Sequence, residues 1–244
     1  MLSLLKKEVT SFLGSLIGYV VIIVFLVTVS LFLWVFPATD SNILENGYAS
    51  LDSLFTISPW VFMFLIPAIT MRSLAEEKKS GTIELLLTRP LTEFQIVFAK
   101  YLAGMVLVII SLLPTLLYFL SISLLSVPAG NVDTGSTWGS YIGLVFLSSG
   151  FVAIGIFSSS LTDNQVIAFI VAVFLSFLCY TGFESLSSLA LFGKVDIIIQ
   201  QLGINAHYLS MSRGVIDTRD AIYFISLTTL FLFITKTSLQ SRKW

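Results

Sequence analysis

The segment LIGYVVIIVFLVTVSLFLWVF, residues 16–36, contains no charged side chain. A helix needs about 20 predominantly apolar residues to cross the hydrocarbon core of a bilayer, and this run is long enough. Lys6 and Lys7 precede it, as basic residues precede the apolar part of a signal peptide. However, the run is too long for that role, and the following FPATD lacks a small-residue cleavage site. We therefore expect a retained membrane-spanning helix.

The composition of the rest of the chain agrees with this first segment. Of the 244 residues, 56% are hydrophobic and 11% are charged, whereas soluble domains are about 25% charged. The sequence predicts an all-α membrane protein, a single domain over residues 1–244. Six transmembrane helices are expected at about residues 16–36, 54–71, 101–127, 138–161, 166–183 and 221–235. Pro67 and Pro114 lie inside two of them and should kink them.

The residues before the first span have the pattern of an amphipathic helix. Lys6, Lys7 and Glu8 fall outside an apolar arc of about 100°, although Leu4 breaks the pattern. We expect a helix that lies on the cytoplasmic leaflet; the alternative is a frayed start of the first span. The apolar arc consists of Leu2, Leu5, Val9, Phe12, Leu13 and Leu16.

The distribution of basic residues predicts the orientation. Loops rich in Lys and Arg stay in the cytoplasm. With the N-terminus in the cytoplasm and six spans, only three of the 13 basic residues fall on the opposite side: Lys194, Arg213 and Arg219. Both termini and the connection 72–100 are therefore predicted to be cytoplasmic.

Several kinds of chemistry are missing from the sequence. The cores of the six expected spans hold no ionisable residue of the kind that ion-coupled carriers need. The chain has no G-x-x-x-x-G-K-[ST] motif with which to bind ATP. Its single histidine, His207, is expected in a loop, which argues against a metalloprotease and leaves an intramembrane Ser–His enzyme as a weak rival. We expect no enzymatic activity, and the net charge of −1 does not indicate a nucleic-acid partner.

The connection EEKKSGTIELLLTRPLTEFQI, residues 76–96, predicts a helix, a break, a short helix, a second break and a further helix. Gly81 suits the left-handed end of a charged helix that continues the second span. Thr82 is a plausible N-cap of the short helix, with Glu84 in its first turn. Pro90 ends the short helix. The next helix is expected to begin with a Thr92–Gln95 capping box and a Leu91–Ile96 staple.

A short helix that carries leucines and is bordered by charges is an exposed apolar surface, and such surfaces usually bind partners. The alternative is that the leucines lie in the membrane interface. The predicted docking residues are Glu76, Glu77, Gly81, Thr82, Ile83, Glu84, Leu85, Leu86 and Leu87.

The whole chain resembles the type-2 ABC transporter permease family, most clearly in residues 76–100 and in SSSLTDNQVIAF, residues 158–169. In that family the first stretch is a coupling helix that sits in a groove of the ATPase. The resemblance implies a pair of ABC ATPase subunits, which hold ATP and Mg, while this chain binds no cofactor. It also implies a second permease copy or an auxiliary membrane subunit, and a bacterial inner (cytoplasmic) membrane.

A second stretch, INAHYLSMSRGVIDTRDAIYF at residues 204–224, is similar to the external segment of gliding-motility-associated ABC permeases of Bacteroidota. Asp217 and Asp220 flank the start of the expected sixth helix, where carboxylates are favourable. Arg213 and Arg219 could pair with them. Gating and simple helix-end anchoring both remain open. The residues of this expected external gate or anchor are Arg213, Gly214, Asp217, Arg219 and Asp220.

These observations predict a permease subunit that couples ATP hydrolysis by a separate ATPase to export or to transmembrane conformational work in gliding motility. The alternative is a non-transporting membrane anchor of a larger motility or secretion complex.

Overall fold

The structure is a computed structural model that describes residues 1–37, 41–87, 91–189, 193 and 195–241. The described residues are helical, with turns and no strand. The helices of the first half are α1 (Leu2–Leu13), α2 (Leu16–Ser30), α3 (Ile43–Asn46), α4 (Asp52–Thr70), α5 (Ala75–Lys79), α6 (Thr82–Leu87), α7 (Glu93–Leu112) and α8 (Leu116–Leu125). Those of the second half are α9 (Thr134–Leu161), α10 (Gln165–Phe177), α11 (Phe183–Ser188), α12 (Val195–Gln201), α13 (Ile204–Met211) and α14 (Thr218–Gln240).

In the described part of the chain, six helical stretches are long and apolar enough to cross a membrane, which confirms the predicted fold class. A π-helical turn (Leu31–Val35) extends α2, a 3-10 turn (Leu113–Thr115) joins α7 to α8, and a π-helical turn (Leu178–Gly182) joins α10 to α11. The six stretches are Leu16–Val35, Asp52–Lys79, Glu93–Leu125, Thr134–Leu161, Gln165–Ser188 and Thr218–Gln240.

The third of these helices begins eight residues earlier than the expected span at 101–127, because local capping starts it. The Thr92 side chain accepts a bond from Gln95 N at 3.3 Å, and Gln95 Oε1 accepts one from Thr92 N at 3.1 Å. This confirms the predicted capping box. As a result Lys100, which directly precedes the expected span, lies within the helix and is only 2% exposed.

The prolines affect their helices differently. Pro114 lies in the 3-10 turn that interrupts the third stretch, whereas Pro59 and Pro67 stay inside an unbroken α4. The second span was expected to continue directly as a charged helix, and this is wrong over Met71–Leu74. A turn separates α4 from α5 there, because Ser159 of α9 accepts the backbone N–H groups that begin α5.

The central element is α9, which is buried along most of its length and packs against α4, α7, α10 and α14. Small residues allow these close approaches. A Cβ placed on Gly155 would lie 2.9 Å from Thr70 Cβ, and one placed on Gly104 would lie 2.8 Å from Val152 Cγ1. The backbones of α4, α7 and α9 therefore approach one another closely where these helices meet.

The predicted N-terminal helix is present as α1, and Val9, Phe12 and Leu13 of the predicted apolar arc pack against the bundle, but the packed face differs from that arc at its start. Leu4, which broke the predicted apolar arc, is buried against Ile96 and Ala99 of α7, whereas Leu2 is 76% exposed. Helix α1 ends at Leu13, and Ser15 caps α2 by accepting Gly18 N at 3.2 Å. The helix is therefore a separate element and not a frayed start of the first span.

The bundle has two distinct ends. We define the loop end as the one that carries α1, α5, α6, the start of α7 and the last turns of α9 and α14; a Gln240–Glu93 hydrogen bond of 3.4 Å joins two of these. The opposite end carries α3, the helices α11–α13 and the starts of α9 and α14. The expectation that His207 lies in a loop is wrong, because residue 207 is inside α13.

Candidate functional site

The connection between the second and third spans, residues 72–92, forms the clearest candidate site; we name it the loop segment. Gly81 follows α5 with φ +69°, which is the predicted left-handed conformation. Thr82 was expected to be the N-cap of α6 but is its first helical residue, and its hydroxyl lies 2.9 Å from the Ser80 hydroxyl. Thr88, Arg89 and the predicted stop at Pro90 lie outside the described residues.

The predicted docking residues fall into three groups. Glu76, Gly81, Thr82 and Glu84 are exposed, and Ile83 is half-buried against the core. Glu77 points inward, toward Lys100. The backbones of Leu85, Leu86 and Leu87 lie in α6, while their side chains lie outside the described part of the structure.

Helix α9 holds one side of the loop segment. The Ser159 hydroxyl accepts from Leu74 N and Ala75 N, each at 3.0 Å, and donates to Met71 O at 3.0 Å. The Lys78 ammonium donates to Ser160 O. One buried serine thus satisfies both N–H groups at the start of α5, which would otherwise lack a partner.

The buried Lys100 holds the other side of the loop segment. Its Nζ lies 3.0 Å from Glu77 Oε1, 3.0 Å from Glu8 Oε1 and 2.6 Å from Ser73 O. A buried charge is tolerated when it is paired and hydrogen-bonded, and this ammonium has both kinds of partner. The three acceptors belong to α1, to α5 and to the turn before α5, so Lys100 joins three elements.

A cavity of about 310 Å³ lies beside this cluster, between α1, the end of α4, the loop segment and α7. Basic and acidic side chains both line it. Two atoms at its edge, Arg72 Nε and Glu77 Oε2, are buried and have no hydrogen-bond partner among the residues that the structure describes.

The predicted external residues lie together at the opposite end, but their pairing differs from the expectation. Asp217 Oδ1 accepts from Arg219 N at 3.0 Å and caps α14. That backbone bond lowers the pKa of Asp217, so its carboxylate stays ionised as a cap. Asp220 is buried and pairs with His207, not with Arg213 or Arg219 as predicted, because α13 places the imidazole against the first turn of α14.

His207 is the centre of this opposite-end network. Its Nδ1 lies 2.7 Å from Asp220 Oδ1, its Nε2 lies 2.8 Å from Gln201 O, and its ring stacks on Tyr223 with centroids 3.9 Å apart. Both ring nitrogens therefore lie within hydrogen-bonding distance of an oxygen atom. The network ties α12 and α13 to the sixth span.

The lack of a side chain at Gly214 allows the residues after α13 to contact the start of α9. The φ angle of Gly214 is +83°, and a Cβ there would lie 2.7 Å from Ser136 Oγ. The Ser136 hydroxyl donates to Arg213 O at 3.0 Å, and the Ser140 hydroxyl donates to Ser212 O at 2.9 Å. These bonds anchor residues 212–214 to the fourth span.

Sequence reasoning missed Glu8, Lys100 and Ser159 as a connected group. One signal was available: Glu8 is the first acidic residue of the chain, and no other follows before Asp40. It is the acidic side chain that α1 contributes for pairing with a cation. The identity of that partner depended on tertiary structure, since Lys100 is 92 residues away.

The six span-length helices, with loop segment and opposite-end helices packed on the same bundle, define a multi-pass helical membrane protein. The family model described as ABC-2 family transporter protein matches residues 37–234, and the chain belongs to this family. No curated protein matches the chain. The family is the membrane component of an ABC transporter and not its ATPase, and it implies an ATPase partner and a membrane setting.

Proposed function

We propose that the chain is a permease subunit in which the loop segment serves as the coupling helix for a separate pair of ABC ATPase subunits. ATP and Mg bind in those subunits, and the chain works with a second permease copy or an auxiliary membrane subunit. The output is export or transmembrane conformational work. The observation that carries the proposal is the attachment of one exposed segment to two spans of the bundle, to α9 through Ser159 and Lys78 and to α7 through Lys100.

This attachment supports mechanical coupling. The exposed residues of the segment are free to meet a partner, while the inward residues are bonded to α1, α7 and α9. A displacement of α5 and α6 therefore acts directly on the cytoplasmic ends of the second, third and fourth spans. We assign Glu77 to this inward side and assign docking to Glu76, Gly81–Glu84 and the leucines of α6.

The proposed setting is the bacterial inner membrane, with the loop end and both termini in the cytoplasm and the network of Asp217, Asp220 and His207 outside. The basic residues support this orientation. The similarity of residues 204–224 to gliding-motility permeases supports a role in gliding motility. A non-transporting anchor of a motility or secretion complex is the second candidate, since it would use the same docking segment.

The docking proposal is tested by Leu86→Asp/Leu87→Asp, which should abolish co-purification of the ATPase while membrane insertion is retained. The matched control is Val215→Asp/Ile216→Asp, which adds the same charges to two adjacent exposed apolar residues at the opposite end. Retention of the ATPase by the α6 variant would contradict the proposal. ATPase stimulation by the bound permease distinguishes a transporter from a passive anchor, which should leave hydrolysis unchanged.

The orientation is tested separately. Cys179 is the only cysteine, so a Cys179→Ser background accepts single cysteines at Ser80 or Val215, both of which are exposed. A membrane-impermeant maleimide added to intact spheroplasts should label the cysteine at 215 and spare the one at 80. The reverse pattern would place the loop segment out of reach of any cytoplasmic ATPase.

A further inference from the structure

The ammonium of Lys100 is saturated by three separate elements. An ammonium has three N–H donors, and the acceptors Glu8 Oε1, Glu77 Oε1 and Ser73 O lie at 3.0, 3.0 and 2.6 Å. The Lys100 side chain is fully buried, and both carboxylates are largely shielded. Low exposure strengthens each of these contacts, because water does not screen them.

Glu8 links α1 to this cluster. The remaining contacts of α1 with the bundle are apolar, through Leu4 and through the half-buried Val9, Phe12 and Leu13. Apolar contacts are non-directional and permit sliding, whereas a short ion pair fixes the register of α1 against α7. Glu8 and Leu4 are one helical turn apart, so both contribute to the same face.

Helix α1 is in turn joined closely to the first span. The Ser15 hydroxyl donates to Phe12 O at 2.7 Å and accepts from Gly18 N at 3.2 Å. A Cβ at Gly18 would collide with Phe12 O, so the corner between α1 and α2 is tight. Movement of α1 is therefore transmitted to α2.

We propose that Lys100 is a positioning residue that clamps α1 to the loop segment, so that α1 and the first span move with the coupling helix. The residues matched by the family model begin at 37, so α1 and Glu8 lie outside them. The inference rests on the proposed function, because it adds a second path by which a displacement of the coupling helix reaches the spans. The route runs from α5 through Glu77, Lys100 and Glu8 to α1.

The clamp itself is measured in the permease without its ATPase. Spin labels on cysteines at Ser11 and Ser80, both exposed and both lining the cavity beside Lys100, report the distance between α1 and the loop segment. In a Cys179→Ser background we expect one narrow distance distribution. Glu8→Gln should broaden it, because a neutral amide holds the ammonium less firmly. Asp163→Asn, an exposed acid-to-amide change at the same end, is the control and should leave the distribution unchanged.

Transmission is measured in the complex with the ATPase. Glu8→Gln should retain ATPase binding and reduce permease-dependent stimulation of hydrolysis about fivefold or more, the range typical of coupling between two sites. If the parent chain does not bind the ATPase, the proposed function is refuted. The spin-label distances would still show whether Lys100 holds α1 against the loop segment.

A second variant separates loss of the clamp from misfolding of the chain. Glu8→Gln/Glu77→Gln/Lys100→Met removes all three charges, and such neutral replacements of buried ion pairs often fold normally. We expect this variant to insert and to bind the ATPase, but to show the same broad distance distribution and weak stimulation as Glu8→Gln. An unchanged distribution in Glu8→Gln, or full stimulation in the neutral triple variant, overturns the proposal.

Discussion

The Tyr208 hydroxyl donates a hydrogen bond to the backbone carbonyl of Phe55 at 2.7 Å. Phe55 lies one turn before Pro59 in α4, and a proline has no N–H to donate to the carbonyl four residues earlier. The bond therefore satisfies a carbonyl that the helix itself leaves free inside the bundle. It also ties α13, at the opposite end, to the second span.

Replacing Tyr208 with Phe should destabilise the fold by about 1–3 kcal/mol, because the buried Phe55 carbonyl loses its donor. Thermal unfolding in detergent would measure the loss. Tyr19→Phe removes a hydroxyl from an exposed ring in the first span and should have little effect. Equal unfolding temperatures for the two variants would contradict this account of Pro59.

The same tyrosine predicts a dependence of stability on alkaline pH. Burial raises the pKa of Tyr208 well above its usual value, whereas a tyrosine in the unfolded chain ionises near pH 10. The contribution of Tyr208 is therefore fully present below about pH 10 and is lost as the pH rises above it. Unfolding measured between neutral and strongly alkaline pH should show a smaller alkaline loss in Tyr208→Phe than in the parent chain. A larger alkaline loss of stability in Tyr208→Phe than in the parent chain would contradict this prediction.

Ser159→Ala should detach the loop segment from α9. The change leaves Leu74 N and Ala75 N without their acceptor, which should cost about 1–3 kcal/mol. It should also raise hydrogen exchange across α5. Ser158→Ala is the matched control, because the adjacent buried hydroxyl donates only within its own helix, to Ile154 O at 2.9 Å. Equal exchange in α5 for both serine variants would argue against the anchor.

His207→Phe should retain a ring against Tyr223 but leave the buried Asp220 carboxylate without its partner. A buried charged group that loses its hydrogen-bond partner costs more than the roughly 1–3 kcal/mol of a neutral group, so we expect a large loss of thermal stability. His207→Phe/Asp220→Leu removes both hydrogen-bonding side chains and should recover most of it. If the double variant is no more stable than His207→Phe, the two side chains do not act as a pair.

Sequence patterns predicted the elements whose causes are local. The Thr92–Gln95 capping box and the left-handed Gly81 were found where they were expected, since both depend on residues within one turn. The third helix begins at this cap, as the sequence predicted, whereas hydropathy places the start of the membrane span only at Tyr101. The N-terminal helix is present, and the predicted face is wrong only in its first turn, where Leu4 is buried by α7 while Leu2 is exposed.

The sequence by itself determined that this chain is a bundle of six membrane-spanning helices, because long uncharged runs have one stable solution in lipid: helices that satisfy their own backbone hydrogen bonds. Only the tertiary structure decided which polar groups meet inside that bundle. Lys100 pairs with Glu8, which is 92 residues away in the sequence, and Tyr208 donates to Phe55, which is 153 residues away. Such partners are selected by the packing of whole helices, and no local spacing in the sequence encodes them.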